Sequence, residues 1–225
     1  ADSPEAGLER VKENMRKFNI AEEKLAMLRQ QHILLGDLAS PEHFLNDPRL
    51  DQVTHILNCA AVASFGNNPL IWKVNVEGTL RLAQRMAQVT GLQRFLHVGT
   101  AMSCSPEPDS LVAESAEFRE RAEHLVEYTH SKSTIEQLMQ QQCPTLVMAR
   151  PSIVVGHTHH GCRPSSSIFW VFSMGLMLQK FMCSMEDRID VIPVDYCADA
   201  LLMLLNQPLA HGEVVHISAG EENSV

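Results

Sequence analysis

The run Tyr128-Thr129-His130-Ser131-Lys132 places a phenol and an ammonium four positions apart. On a helix, positions i and i+4 share one face, one turn apart. An ammonium about 4 Å from a phenolate, at an effective dielectric near 20, is worth roughly 4 kcal/mol. At about 1.4 kcal/mol per pKa unit, that would carry a tyrosine from near 10 toward neutrality. Such a phenol can give or take a proton at working pH, as a general acid–base must. The same spacing also arises in ordinary exposed helical pairs, so its weight depends on what surrounds it.

Two other groupings bear on chemistry. His157-x-His159-His160-x-Cys162 offers imidazole and thiolate donors that suit zinc. Its spacing matches no standard structural pattern and no second ligand pair accompanies it, so a loop is expected and no metal. Ile168-Phe169-Trp170-Val171-Phe172 would line an apolar pocket or pack as core against a sheet.

The elements that must position these groups follow from hydrophobic patterning. A polar helix is expected from Pro4 to Gln31, broken near Asn19-Ile20. Short apolar runs at His32–Leu35, His55–Ala61, Arg94–Val98, Thr145–Ala149 and Val214–Ile217 read as strands, with Val191–Val194 short and extended. Helical spacing appears from Trp72 to Val89, Glu127 to Gln142 and Asp195 to Leu205. Continuous apolar strands alternating with helices predict a parallel sheet covered on both faces. Ligands in such sheets bind beyond the carboxyl ends of the strands, where Asp37, Asn58, Thr100 and Arg150 to Ser152 fall. The stretch from Gly156 to Arg188 carries histidines, serines, aromatics and methionines without strand periodicity, and is the expected substrate-facing part.

Composition sets the bounds. The 225 residues, 45% of them hydrophobic, suffice for one sizeable α/β domain. The formal net charge of −9 with no basic cluster argues against a nucleic-acid surface. Six scattered cysteines with no Cys-x-x-Cys pair suit a reduced, cytoplasmic setting. The longest apolar run, Ile168 to Leu178, is too short to span a bilayer.

Seven short motifs occur in order: Gly36-Asp37-Leu38, Asn58-Cys59-Ala60-Ala61-Val62, Asn75-Val76-Glu77-Gly78-Thr79, His97-Val98-Gly99-Thr100-Ala101, Tyr128-x-x-Ser131-Lys132-x-x-x-Glu136, Arg150-Pro151-Ser152, and Val194-Asp195-Tyr196-Cys197-Ala198-Asp199-Ala200. Together they resemble the extended short-chain dehydrogenase/reductase family. Asn58 stands where histidine is common, and Gly99 replaces the first hydroxyl residue of the Val-Ser-Thr-Ala strand end. The His97-Val98-x-Thr100-Ala101 segment and the leading Ala6-Gly7-Leu8-Glu9-Arg10-Val11 are similar to the fatty acyl-CoA reductase and thioester reductase branch.

The resemblance implies a Rossmann-like, doubly wound α/β fold: a cofactor-binding core over residues 1–156, and a substrate-facing region over 157–225 whose helix and strand return to that core. The family begins with a strand, a Gly-x-x-Gly-x-x-Gly turn, a helix and a second strand. Those first two strands are not in this sequence, so a longer protein is expected, and without them an open sheet and an incomplete pyrophosphate cradle. The implied activity is NAD(P)-dependent oxidoreduction of an acyl-thioester or aldehyde, with NADP slightly preferred to NAD. The alternatives are a nucleotide-sugar epimerase or dehydratase, for which Arg163, Lys180 and Arg188 give thin support, and a non-catalytic nucleotide-sensing or partner-binding scaffold.

In this reading Tyr128 handles the proton, while Lys132 lowers its pKa and holds the nicotinamide ribose. Thr100 steadies the substrate oxygen or bonds local backbone, with Ser103 as its rival. Asn75 braces the active-site backbone or caps local structure. Asp37 and Leu38 flank the adenine or form an ordinary turn. Ala60 and Ala61 pass the cofactor closely or are core alanines. Pro151, Ser152 and Ile153 lie near the carboxamide or simply end a strand. Asp195 and Asp199 are expected to cap a helix. Partners are a small molecule and no nucleic acid, and the resemblance allows a homodimer.

Overall fold

The computed structural model describes residues 1–104, 112–115, 124–161, 168–181, 184 and 186–224. Its strands are β1 (His55–Asn58), β2 (Arg94–Val98), β3 (Leu146–Pro151), β4 (Ile153–Val155), β5 (Val191–Pro193) and β6 (Glu213–Ile217). Its helices are α1 (Pro4–Arg16), α2 (Glu22–Ala26), α3 (Glu42–Leu45), α4 (Leu70–Trp72), α5 (Thr79–Met86), α6 (Glu127–Gln142), α7 (Ile168–Leu178) and α8 (Val194–Asn206). Four strands form one parallel sheet in the order β1-β2-β3-β6, and β4 pairs with β5 in a second, two-stranded parallel sheet.

Strands that must be apolar on both faces need a helix layer on each. Phe95, Met148 and Val214 pack with Ala83 and Met86 of α5 and Ile135 and Met139 of α6. Leu96, Val147, Ala149 and Ile217 pack on the other face with Cys197, Leu201 and Leu204 of α8. The central strands β2 and β3 are buried almost throughout, while Leu57 on the edge strand β1 is 37% exposed. The register His97↔Met148 and Arg150↔His216 brings the carboxyl ends of β2, β3 and β6 level with one another.

The connection from β1 to β2 is the element that most affects the site. It runs through α4, a six-residue π-helical segment Lys73–Gly78, and α5. A π segment inserts one residue into a helix and is frequently found at functional positions. Thr79 Oγ1 donates to Val74 O at 3.0 Å, which stabilises the widened turn. Gly78 is required by space: a Cβ there would lie 1.9 Å from Leu38 O.

Three sequence expectations are corrected. His32–Leu35 is not a strand: His32 closes a 3-10 turn (Gln30–His32), and residues 33–35 have no ladder partner among the described residues. Ile33 is extended, but its carbonyl accepts from the Arg49 guanidinium at 2.9 Å, and α1 lies against it through Gly7. The leading helix ends at Arg16 and breaks at Asn19, whose φ is +55°, where the sequence puts the break, but the second helix α2 stops at Ala26 instead of reaching Gln31. The apolar run 168–178 is a helix, as its length suggests, yet it is not buried: Trp170, Leu176 and Met177 are 59%, 73% and 72% exposed.

Candidate active site

Helix α6 carries the phenol and the ammonium. It starts after Val126, an extended residue that gives no side-chain cap, and its inward stripe is unusually polar: Ser131, Lys132, Ser133 and Glu136 are all buried. Buried polar groups must find partners, and Lys132 and Glu136 find them at the strand ends. Lys132 Nζ donates to Val98 O at 2.5 Å, the last carbonyl of β2. Burial brings this ammonium down to about 8, opposed by the charges of Glu136 and Cys59.

Tyr128 departs from the sequence expectation. Its phenol is pushed above its ordinary value by burial, and Lys132 is not among the causes. The ammonium is engaged with Val98 O rather than with the phenol. Tyr128 therefore stands protonated at neutral pH, in the form that donates. Its ring meets Phe65 edge-on, with centroids 5.9 Å apart.

Asn75, placed by the π segment, is 2% exposed and fully engaged. Its Oδ1 accepts from Val62 N–H at 2.7 Å. Its Nδ2 donates to Val62 O and to Ser131 Oγ, each at 3.1 Å. Ser131 Oγ in turn donates to Tyr128 O. One side chain thus ties the loop after β1 to the first turn of α6.

Thr100 sits just past β2, with its Oγ1 accepting from Met102 N–H at 3.3 Å. Ser103 Oγ donates to Thr100 O at 2.7 Å, which commits that hydroxyl to the backbone. Asp37 is exposed, and its Oδ1 accepts from Ala39 N–H at 2.8 Å in an Asx turn. Leu38 abuts Gly78. Ala60 and Ala61 are exposed just beyond β1, so they are not core alanines. Pro151 ends β3 in register with Ile217, Ser152 N–H donates to Ile217 O, and Ile153 opens β4. Asp195 lies inside the first turn of α8 and accepts from Thr158 N–H and Oγ1, so it fastens the 157–161 hairpin rather than capping a helix.

His97 was not singled out for a role by sequence. Asn58 Oδ1 accepts from Ala60 N–H, which turns Nδ2 toward His97 Nδ1 at 3.2 Å. Nδ1 is then the acceptor, and the ring proton rests on Nε2, which has no partner. Burial and the nearby Lys132 charge hold this imidazole neutral, well below its usual range. Glu136 enters the sequence reading only as a motif letter, and Arg150 only as a motif letter at a strand end. Arg150 Nε and Nη2 both donate to Glu136 Oε2, at 2.9 and 2.7 Å.

A cleft of about 380 Å³ opens beside Tyr128. Phe65, Asn67, His124, Leu125 and His130 are among its walls, none of them from the 156–188 stretch expected to face substrate. His130 stacks on His124 and meets Trp72 edge-on, with centroids 5.3 and 4.9 Å apart. Trp72 Nε1 donates to Glu127 Oε2 at 2.8 Å. In the histidine run, His157 Nδ1 accepts from the N–H of His159 and of His160. Cys162 lies outside the described residues. Among the described residues no group of three such side chains could hold a metal, and no helix is long and apolar enough to cross a membrane.

The residues present fit one half of a nicotinamide dinucleotide site. Small exposed side chains stand at the end of β1, a buried ammonium at the end of β2, and at the end of β3 the Ser152 hydroxyl is buried with no partner among the described residues. Nothing in the chain supplies a Gly-rich pyrophosphate turn.

Comparison with known structures agrees with the fold. The terminal R domain of the myxalamid PKS-NRPS biosynthetic pathway superposes with a TM-score of 0.80 at 20% identity, covering 97% of this chain and 57% of that one. A thiolation-reductase di-domain from an archaeal non-ribosomal peptide synthetase gives 0.64 at 16% identity, over 81% of this chain and 41% of that one. UDP-glucuronic acid 4-epimerase from Bacillus cereus, solved with NAD, gives 0.59 at 20% identity, over 79% of this chain and 58% of that one. The chain therefore spans 41–58% of the length of these solved relatives. A comparison with curated proteins gave no match. A family model described as male sterility protein matches residues 1–201. With that match over most of its length and a Rossmann-like parallel sheet, the chain belongs to the male sterility protein family, within the extended short-chain dehydrogenases/reductases.

Proposed function

We propose that this chain forms the catalytic part of an NAD(P)-dependent oxidoreductase that acts on an acyl-thioester or aldehyde. The observation that supports the reading is the buried Lys132, one helical turn after Tyr128 on α6, with its Nζ on Val98 O two residues before Thr100, while Asn75 braces the first turn of α6 through Ser131. The bound nicotinamide would supply the hydride. Lys132, Ala60, Ala61, Pro151, Ser152 and Ile153 would hold its nicotinamide half, and Asp37 and Leu38 the adenine side. The buried Tyr128 phenol keeps its proton at neutral pH and delivers it to the substrate oxygen. The Thr100 hydroxyl orients that oxygen.

A thioester or aldehyde is favoured over a nucleotide sugar because the myxalamid R domain matches more of the chain, with a higher TM-score, than the epimerase does. NADP is slightly preferred to NAD, as the resemblance to reductases implies; the solved neighbours include one with NADPH and others with NAD. A cytoplasmic location, a homodimer and a substrate-facing role for residues 157–225 belong to the same proposal. The test uses the full-length protein that contains this chain, with nicotinamide absorbance followed against acyl-thioesters, aldehydes and sugar nucleotides. Tyr128→Phe should lose turnover on the active substrate by at least a hundredfold while still binding cofactor. Unchanged turnover in the variant would remove Tyr128 from the proton transfer, cofactor binding without turnover on any of the panel would leave the chain a binding scaffold, and activity confined to sugar nucleotides would move it to the epimerase and dehydratase group.

A further inference from the structure

We propose that Glu136, gripped by Arg150 and given room by Gly99, is a positioning residue that keeps Lys132 charged and seated on Val98 O. The inference deepens the function above, since it rests on Lys132 as the cofactor-side lysine.

The geometry begins at Gly99. Its φ is not in the left-handed region, and its N–H donates to Ala149 O at 2.7 Å as an ordinary ladder residue. What it supplies is space: a Cβ would lie 2.0 Å from Glu136 Oε1 and 3.3 Å from Arg150 Cγ. The loss of the hydroxyl residue expected at this strand end is therefore matched by the carboxylate that occupies its place. Glu136 is 3% exposed, its Oε2 takes two N–H donors from Arg150, and its Oε1, turned toward Gly99, has no hydrogen-bond partner.

Arg150 is more than a counter-ion. Its Nη1 also donates to Ser115 O at 2.8 Å and to Cys104 Sγ at 3.4 Å. One guanidinium on β3 thereby joins α6, the turn after β2 and the 112–115 segment. Lys132 lies one turn before Glu136 on α6 and is equally buried, at 3%. The titratable groups that act on it are Glu136 on its own helix, Cys59 after β1, and His97 on β2, with Arg150 behind Glu136. His97 is neutral and the Cys59 thiol is held up by burial, so Glu136 is the one full negative charge among them. Burial pushes the Glu136 carboxyl up while Arg150 and Lys132 pull it back, and neutralising it would leave two buried cations with no counter-charge, which favours the ionised form. A merely structural Glu136–Arg150 pair would hold α6 on β3 but would leave the protonation of Lys132 alone.

The experiment labels lysine with ¹³C at Cε and follows Lys132 by NMR against pH in the whole chain, with Lys132→Met to assign the signal. The wild-type midpoint should fall near 8. It should also hold steady between about 50 and 500 mM salt, because a buried partner is poorly screened. Glu136→Gln should lower the midpoint by a unit or more, about tenfold in proton affinity, and Glu136→Asp should restore most of it. A folded Glu136→Gln protein with an unchanged midpoint overturns the proposal. Should Glu136→Gln fail to fold, the salt series and Glu136→Asp decide alone. No arm requires turnover, so failure here and failure of the proposed activity are told apart.

Discussion

Asn75→Ala tests how the site is held together. The wild-type amide makes three hydrogen bonds: one from Val62 N–H at 2.7 Å, one to Val62 O and one to Ser131 Oγ, both at 3.1 Å. A net value near 1 kcal/mol for each, in a residue 2% exposed, puts the loss at about 3 kcal/mol. For a chain of this size that corresponds to a fall in Tm of roughly 6–12 °C. Asn75→Asp should be no milder. It keeps the acceptor for Val62 N–H but sets a second acceptor against Val62 O, and Ser131 Oγ already donates to Tyr128 O. The assay is urea unfolding followed by circular dichroism, read as a midpoint change at constant m. Because the amide spans the loop after β1 and the first turn of α6, the Tyr128 ring should also become more mobile by NMR. A loss below 0.5 kcal/mol for a folded Asn75→Ala protein, roughly that of an ordinary surface change, would refute the bracing argument.

Further outcomes follow from the same coordinates. Gly78→Ala gains about 1 kcal/mol of helix propensity but sets a methyl 1.9 Å from the Leu38 carbonyl oxygen. Backbone cannot step aside as a side chain can, so a net loss above about 2 kcal/mol is expected in thermal unfolding. Stability should rise between pH 8 and 9. Lys132 there has lost its proton in the folded chain at about 8 but keeps it when unfolded, so the unfolded state binds more protons. Above pH 9 the trend should flatten, because Cys59, Cys143, Cys197 and then Tyr128 have folded values raised by burial and act in the opposite sense. Lys132→Met should abolish the rise in chemical denaturation across that window, and a slope that survives would exclude Lys132 as its source. Leu176→Lys, at a residue 73% exposed, should change the unfolding free energy by less than about 0.5 kcal/mol while reducing self-association by light scattering.

Much of the scaffold was legible because local pattern and tertiary demand coincide. Arg94–Val98 and Glu127–Gln142 fall where the apolar spacing puts them, since a strand covered on both sides must be apolar throughout and α6 must turn its stripe to the sheet. The same logic misled at His32–Leu35, where an apolar run without a neighbouring strand packs under α1 instead. It misled again at Ile168–Leu178, where composition speaks of burial but only contact decides it. The π insertion at Lys73–Gly78 has no periodic signature, because one added residue looks like noise in a 3.6-residue repeat. At the site, the Tyr128–Lys132 spacing placed both groups on α6 as expected, but not the direction of the phenol's shift. That depends on where the ammonium's hydrogen bond goes, and it goes to Val98 O. Gly99 read as a departure from pattern until Glu136 appeared in the space it leaves.

The widened turn at Lys73–Gly78 also sets a rule for chain length. Removing one residue from it would return the helix to regular pitch and shift the residues inside the segment around the axis relative to the turns on either side. Trp72, hydrogen-bonded to Glu127, and Asn75, hydrogen-bonded to Val62, could not then both keep their partners. Single-codon deletions should be rejected in this stretch whichever residue is removed, whereas the exposed turn at Gly66-Asn67 should absorb them, and a deletion scan scored for folded protein would map the boundary.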